Sequence, residues 1–184
     1  DPQLSENLND MACSTPLPVQ QSACPAILGD DEPKQKDVVI GTYTGSGKTL
    51  AFLVPLVQRL IDQQISGDSL SIIIVAPGRE LASQIVSVAR QVCEGTPYTG
   101  QLAIGGTTFA RNLQTIRKRK PSILVGTPGR LAELIVGKPG EKGGRLKVSQ
   151  LQSLVLDEFD ALLEYKAHRE PTAAVVQSLQ RNPN

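Results

Sequence analysis

Thr42-Tyr43-Thr44-Gly45-Ser46-Gly47-Lys48-Thr49 is the stretch on which the reading of this chain turns. It follows a short apolar run, Asp37-Val38-Val39-Ile40, and opens an apolar helical pattern, so the expected unit is strand, loop, helix. Glycines let loop N–H groups turn toward phosphate oxygens, and a helix N-terminus adds partial positive charge. Thr44, Gly45, Ser46 and Gly47 are therefore candidates to cradle a triphosphate, with Lys48 reaching its β- and γ-phosphates and Thr49 offering a hydroxyl to Mg²⁺. The run departs from G-x-x-x-x-G-K-[ST] at its first position, which is Thr42, because Gly41 lies one residue early. A plain Gly/Ser-rich turn would give no reason for this order of Gly45, Gly47, Lys48 and Thr49.

Far downstream, Leu154-Val155-Leu156 runs into Asp157-Glu158-Phe159-Asp160. An isolated acidic pair after an apolar run is more often a solvated strand end. With the phosphate loop it reads as the second half of one nucleotide site, Asp157 holding the metal ion from the other side.

The chain of 184 residues is most simply one domain, long enough to bury about 70% of its unfolded surface without staples. Forty per cent hydrophobic residues and a net charge of +1 describe an ordinary soluble domain with no global electrostatic case for nucleic acid, so any such footprint is local. Cys13, Cys24 and Cys93 are odd in number and widely spaced, which fits reduced thiols inside a cell and indicates neither zinc nor disulfides. No apolar run approaches about 18 residues, so no membrane span is expected. The compartment stays open: the chain begins at Asp1 without a leader pattern, as an excised piece would.

Short apolar runs alternate with helical patterns. Strands are expected near Val38 to Ile40, Ser71 to Ala76, Gln101 to Ile104, Ile123 to Val125 and Leu154 to Asp157. Helices are expected near Lys48 to Gln63, Glu80 to Cys93, Thr107 to Lys118, Gly129 to Val136 and Pro171 to Gln180. The pattern predicts an α/β fold, a mostly parallel sheet with helices on both faces and ligands at the strands' carboxyl ends. Asp30 to Lys36 and Gly137 to Lys147 read as surface loops.

These residues resemble the DEAD-box RNA helicases, specifically their first RecA-like P-loop domain, with the motifs in family order. Pro16-Leu17-Pro18-Val19-Gln20 resembles the Q motif, Thr42 to Thr49 motif I, and Pro77-Gly78-Arg79-Glu80-Leu81-Ala82 motif Ia. Gly105-Gly106 resembles the GG element, Thr127-Pro128-Gly129-Arg130 motif Ib, and Asp157 to Asp160 motif II. The match runs from about Thr15 onward, leaving residues 1–14 as an N-terminal flank and 15–184 as a RecA-like domain that stops short of the family's length, with the second RecA-like domain absent.

The resemblance implies that Gln20 reads adenine, that Lys48 holds phosphates, that Thr49 and Asp157 position Mg²⁺, and that Glu158 orients or deprotonates the attacking water. Asp160 would couple this site to other motifs. Pro77, Gly78, Arg79, Gly105, Gly106, Thr127, Pro128, Gly129 and Arg130 would face RNA, single-stranded or duplex, through its backbone. Each also has a plainer reading: a helix-start residue for Gln20, turn glycines, an N-cap at Thr127, exposed arginines. Departures are specific. Phe159 stands where the family has alanine, Gly78 where it has threonine, and no aromatic residue precedes Gln20 to stack on adenine.

The expected activity is RNA-stimulated ATP hydrolysis coupled to local RNA strand separation. It needs the second domain and its arginine finger, so this chain alone is expected to separate no strands. The alternatives are another P-loop ATPase, such as a DNA helicase or translocase, and a non-enzymatic protein-binding scaffold. The basic run Arg117-Lys118-Arg119-Lys120 reads first as a solvated helix end, and His168 as an exposed bystander.

Overall fold

The computed structural model describes residues 1–29, 37–43, 45–137 and 145–180. Thr44, the expected loop over Asp30 to Lys36, and residues 138–144 of the second expected loop lie outside them. Two compact units result, one of residues 1–65 and 88–97, the other of residues 66–87 and 98–184.

The first unit is helical: α1 (Pro2–Asp10), α2 (Pro18–Leu28) and α3 (Lys48–Asp62), with the end of α4 (Arg79–Val92). Apolar residues of α3 recur at helical spacing, and Ala51, Phe52, Leu53, Leu56, Val57 and Leu60 are buried. α2 packs on α3, with Ala23 buried and the Cys24 thiol facing the Ala51 carbonyl. Asn7 of α1 is buried because its amide does what the last turn of α4 cannot do for itself. Nδ2 donates to the Val92 and Glu94 carbonyls at 2.9 and 2.8 Å. Burial pushes the neighbouring Cys93 thiol up to about 12, against a smaller opposite pull from Thr96.

One expected strand does not form. Val38 to Ile40 is coil, and Val39 is 94% exposed. A strand is held by a ladder and by a covered face, and three apolar residues between Asp37 and Gly41 gain neither.

The second unit carries a four-stranded parallel sheet of β1 (Ile72–Val75), β2 (Gly100–Ala103), β3 (Ile123–Gly126) and β4 (Ser153–Leu156), in the order β2-β3-β1-β4. The central strand β1 is Ile-Ile-Ile-Val and wholly buried, as a parallel strand covered on both faces should be. Ile73, Val75, Ala103 and Leu124 form a core with Leu113 and Ile116 of α5 (Phe109–Arg119). Leu131, Leu134 and Ile135 of α6 (Pro128–Ile135) complete it, with Leu162 of α7 (Phe159–Glu164) and Val175 of α8 (Lys166–Gln180).

The last helix was expected from Pro171; it starts five residues earlier, at Lys166, with Pro171 inside. Tyr165 sets the start, its carbonyl accepting from the His168 and Arg169 N–H groups at 2.9 Å each. His168 is half-buried rather than exposed, Nδ1 lying 3.4 Å from the Ala161 carbonyl and the ring edge-on to Tyr165.

Candidate functional site

All four strands of the sheet run the same way, so their carboxyl ends share one side, and each leads directly into a motif. β1 is followed by Pro77-Gly78-Arg79, β2 by Gly105-Gly106, β3 by Thr127-Pro128-Gly129-Arg130 and β4 by Asp157-Glu158. Backbone bonds continue the ladder past the strands: Ala76 N to Gly126 O at 3.0 Å, Thr127 N to Ala103 O at 3.2 Å, Asp157 N to Val75 O at 2.9 Å. The first residues of three loops are thus fixed by the sheet, not by the loops.

Gly126 makes this close approach possible, and sequence reasoning passed over it. A Cβ there would lie 2.4 Å from the Ala103 carbonyl oxygen and 3.0 Å from Leu131 Cγ. Its signal was its place, between a buried apolar run and Thr127.

The arginines expected to face RNA differ. Arg79 is exposed, and its guanidinium lies over Gly105, where a Cβ would meet Nη2 at 3.0 Å. Arg130 is turned inward, its side chain 9% exposed. Nη2 donates to the Thr107 carbonyl at 2.7 Å and Nη1 pairs with Glu133 at 3.4 Å, so Arg130 ties the loop after β2 to α6. Thr127 precedes Pro128 at the start of α6, but its hydroxyl does not cap the helix. Gly106 has φ +111°, a backbone that glycine adopts without strain.

At β4 the chain turns sharply. Asp157 is buried, and its Oδ1 accepts the Glu158 N–H at 3.0 Å. Glu158 sits at φ 48°, ψ 55° at the start of α7, a left-handed conformation that costs a non-glycine residue about 1–2 kcal/mol. Strain of this kind is kept where surrounding structure imposes it, and it clusters at functional positions. Phe159 is 52% exposed, so the larger ring finds room outward, and Asp160 lies exposed in the first turn of α7.

In the helical unit the phosphate loop closes on itself and on α2. Gly45 and Gly47 have φ +82° and +91° at the start of α3, a backbone that glycine adopts without strain. Lys48 Nζ donates to the Thr42 carbonyl at 3.1 Å, leaving two of its three N–H donors. The Ser46 hydroxyl is buried without a partner among the described residues. A Cβ on Gly47 would collide with Gln20 Nε2 at 2.7 Å and with Leu17 Cδ1 at 2.8 Å. An orphaned hydroxyl, positive-φ glycines and a lysine at a helix N-terminus fit a phosphate group. Thr49 and Asp157 are hard oxygen donors of the kind Mg²⁺ takes.

Gln20 stands at the third position of α2. Its Oε1 accepts the Leu17 N–H at 2.8 Å, and its Nε2 donates to the Gly47 carbonyl at 3.2 Å. Both the helix-start reading and the contact with the phosphate loop are realised in one side chain.

A family model described as DEAD/DEAH box helicase matches residues 17–184. Over 189 residues the chain is 36% identical to DEAD-box ATP-dependent RNA helicase 47B of Oryza sativa subsp. japonica, covering 98% of this chain and 31% of that protein. It is 33% identical to ATP-dependent rRNA helicase SPB4 of Candida albicans, covering 98% of this chain and 29% of the relative. Among solved structures, Mss116p bound to ssRNA and AMP-PNP superposes with a TM-score of 0.84 at 30% identity, over 100% of this chain and 35% of that one. The parallel sheet is accordingly the RecA-like architecture that the motif order implied. The chain spans about a third of the length of the relatives it matches. With a family model running over all but its first residues and relatives that agree across nearly its whole length, the chain belongs to the DEAD/DEAH box helicase family.

Proposed function

We propose that this chain is the ATP-binding half of an ATP-dependent RNA helicase, which couples ATP binding and hydrolysis to local separation or remodelling of RNA. The observation that carries the nucleotide assignment is the Gln20 amide: each of its polar atoms is already anchored, to Leu17 and to Gly47, yet Nε2 keeps a second N–H and Oε1 a second lone pair. A donor and an acceptor held rigidly beside the phosphate loop suit the amino group and ring nitrogen of adenine. The relatives' names as RNA helicases give no support to a DNA translocase or a scaffold.

In this reading Lys48 and the N–H groups of Gly45 to Gly47 hold the β- and γ-phosphates, Ser46 gives its hydroxyl to a phosphate oxygen, and Thr49 and Asp157 hold Mg²⁺. The ion, when bound, neutralises charge on the transferring phosphoryl group. Glu158 takes the proton of the attacking water or orients it, the turn at its left-handed backbone setting the direction of the carboxylate. Arg79 and the main chain at Gly78, Gly105, Gly106 and Gly129 meet RNA phosphates and sugars, with Pro77, Thr127 and Pro128 shaping those loops. Arg130 holds the loop after β2 in place from within. The second RecA-like domain is the partner that completes the cleft.

Gln20→Glu tests the assignment, because a carboxylate keeps the acceptor for Leu17 N–H and removes the amide donor. Calorimetry should show the preference for ATP over GTP eroded more than tripolyphosphate binding, which also weakens because the bond to the Gly47 carbonyl is lost. Equal affinity of the unaltered protein for GTP and ATP would refute the adenine role.

A further inference from the structure

The cations at the end of α5 have no part in the nucleotide loop or the strand-end loops. We propose that Arg117, Lys118, Arg119 and Lys120, with Arg145 and Lys147, form a second RNA surface that takes the phosphate backbone of duplex RNA; the proposal rests on the RNA-directed function above.

All six residues are exposed. The structure gathers them mostly on neutral partners among the described residues. Arg117 Nη2 donates to the main-chain carbonyl of Arg145 at 3.1 Å, which sets two basic residues side by side. Arg145 in turn lays its guanidinium over Gly137. Arg119 Nη1 donates to the Gln101 amide oxygen at 3.3 Å, again a neutral acceptor. Among the described residues the one carboxylate engaged is Asp68, 3.2 Å from Lys120 Nζ. Lys120 closes the helix through its backbone N–H to the Ile116 carbonyl at 2.8 Å, a bond that uses no side-chain charge, so the side-chain cations stay available to a ligand.

Its place separates it from the strand-end loops. α5 ends where β3 is about to begin, and Gln101 and Asp68 lie near or before the starts of β2 and β1. The patch is at the amino ends of parallel strands whose carboxyl ends carry the motifs, about 10 Å away across a four-residue strand.

Composition selects the partner. The exposed large apolar residues of the described chain are Leu17, Val38, Val39, Tyr43, Phe159, Leu163 and Tyr165, none of them in this patch. A protein interface is anchored by apolar or aromatic side chains, and single-strand sites often add rings on which bases stack; a patch of cations with neither suits a regular phosphate backbone.

Fluorescence anisotropy with a blunt RNA duplex, a single strand with an ATP analogue, and polyglutamate tests this over about 50 to 200 mM salt. The triple variant Arg117→Gln, Lys118→Gln, Arg119→Gln should bind duplex roughly tenfold more weakly at the middle of that range. Its slope of log affinity against log salt should fall by about one unit per lost phosphate contact. Lys118→Glu, at a residue whose side chain makes no hydrogen bond to the described residues, should weaken duplex binding without touching the fold. Single-strand binding should stay unchanged in both variants and fall in Arg79→Ala, which leaves duplex binding intact. Unchanged duplex affinity and slope in the triple variant overturn the proposal, as does loss of polyglutamate binding with duplex binding retained. Failure of the unaltered protein to hold a single strand with nucleotide counts instead against the RNA function itself.

Discussion

The strand-end loops and the phosphate loop are positioned by different means. Ala76, Thr127 and Asp157 take their places from backbone bonds that prolong a buried parallel ladder, so their geometry is set by Ile, Val and Leu far from any ligand. The phosphate loop is entered through coil with Val39 94% exposed, and among the described residues it is held by side chains: Lys48 on Thr42, and Gln20 and Leu17 against Gly47. A site anchored to a sheet tolerates strain, as at Glu158, because many bonds share the cost. A site closed by side chains is sensitive at each of them.

The sharpest way to break this contrast is Glu158→Gln. If the sheet fixes the turn, an isosteric amide leaves it in place, and RNA-stimulated ATP turnover of the full-length protein falls by about 10²- to 10⁴-fold while ATP binding persists. Steady-state phosphate release decides it; normal turnover removes Glu158 from the water. Lys48→Ala probes the other region. Loss of a charge-assisted contact should weaken nucleotide binding by about 1.5–3 kcal/mol, roughly 10- to 150-fold, by calorimetry with the circular dichroism unchanged.

Gly126→Ala asks whether the ladder positions the loops. The added Cβ, 2.4 Å from the Ala103 carbonyl oxygen, should destabilise by about 1–3 kcal/mol and lower the melting temperature by about 2–4 °C per kcal/mol. An unaltered melting curve would mean that Thr127 is not held there. The smallest effect is expected from Val39→Ser, within about 0.5 kcal/mol for an exposed residue, in urea unfolding. A loss of 1.5 kcal/mol or more would put Val39 in a buried strand and erase the difference between the two regions.

The sequence made the sheet legible because its strands are short apolar runs ending in glycine, proline or acid, and four of the five expected strands form. It hid α2, whose Leu17 lacks a capping oxygen and whose interior holds Pro25; the helix start is secured by Gln20 reaching back and by Ala23 burial. It also hid the left-handed Glu158, since neither glycine nor asparagine marks that position, and the inward turn of Arg130, since arginine in a glycine-rich turn reads as exposed. The turn of Arg130 is set largely by Thr107, a residue distant in the chain. The motif residues are legible through their order along the chain, because order survives where single residue types are ambiguous.

Gln20 carries a wider consequence. Because one amide both closes the first turn of α2 and touches the phosphate loop, selection for a folded protein alone would preserve it. A change at Gln20 is therefore felt twice, as a frayed helix start and as a loosened loop, so base choice and fold cannot be altered separately at this one side chain.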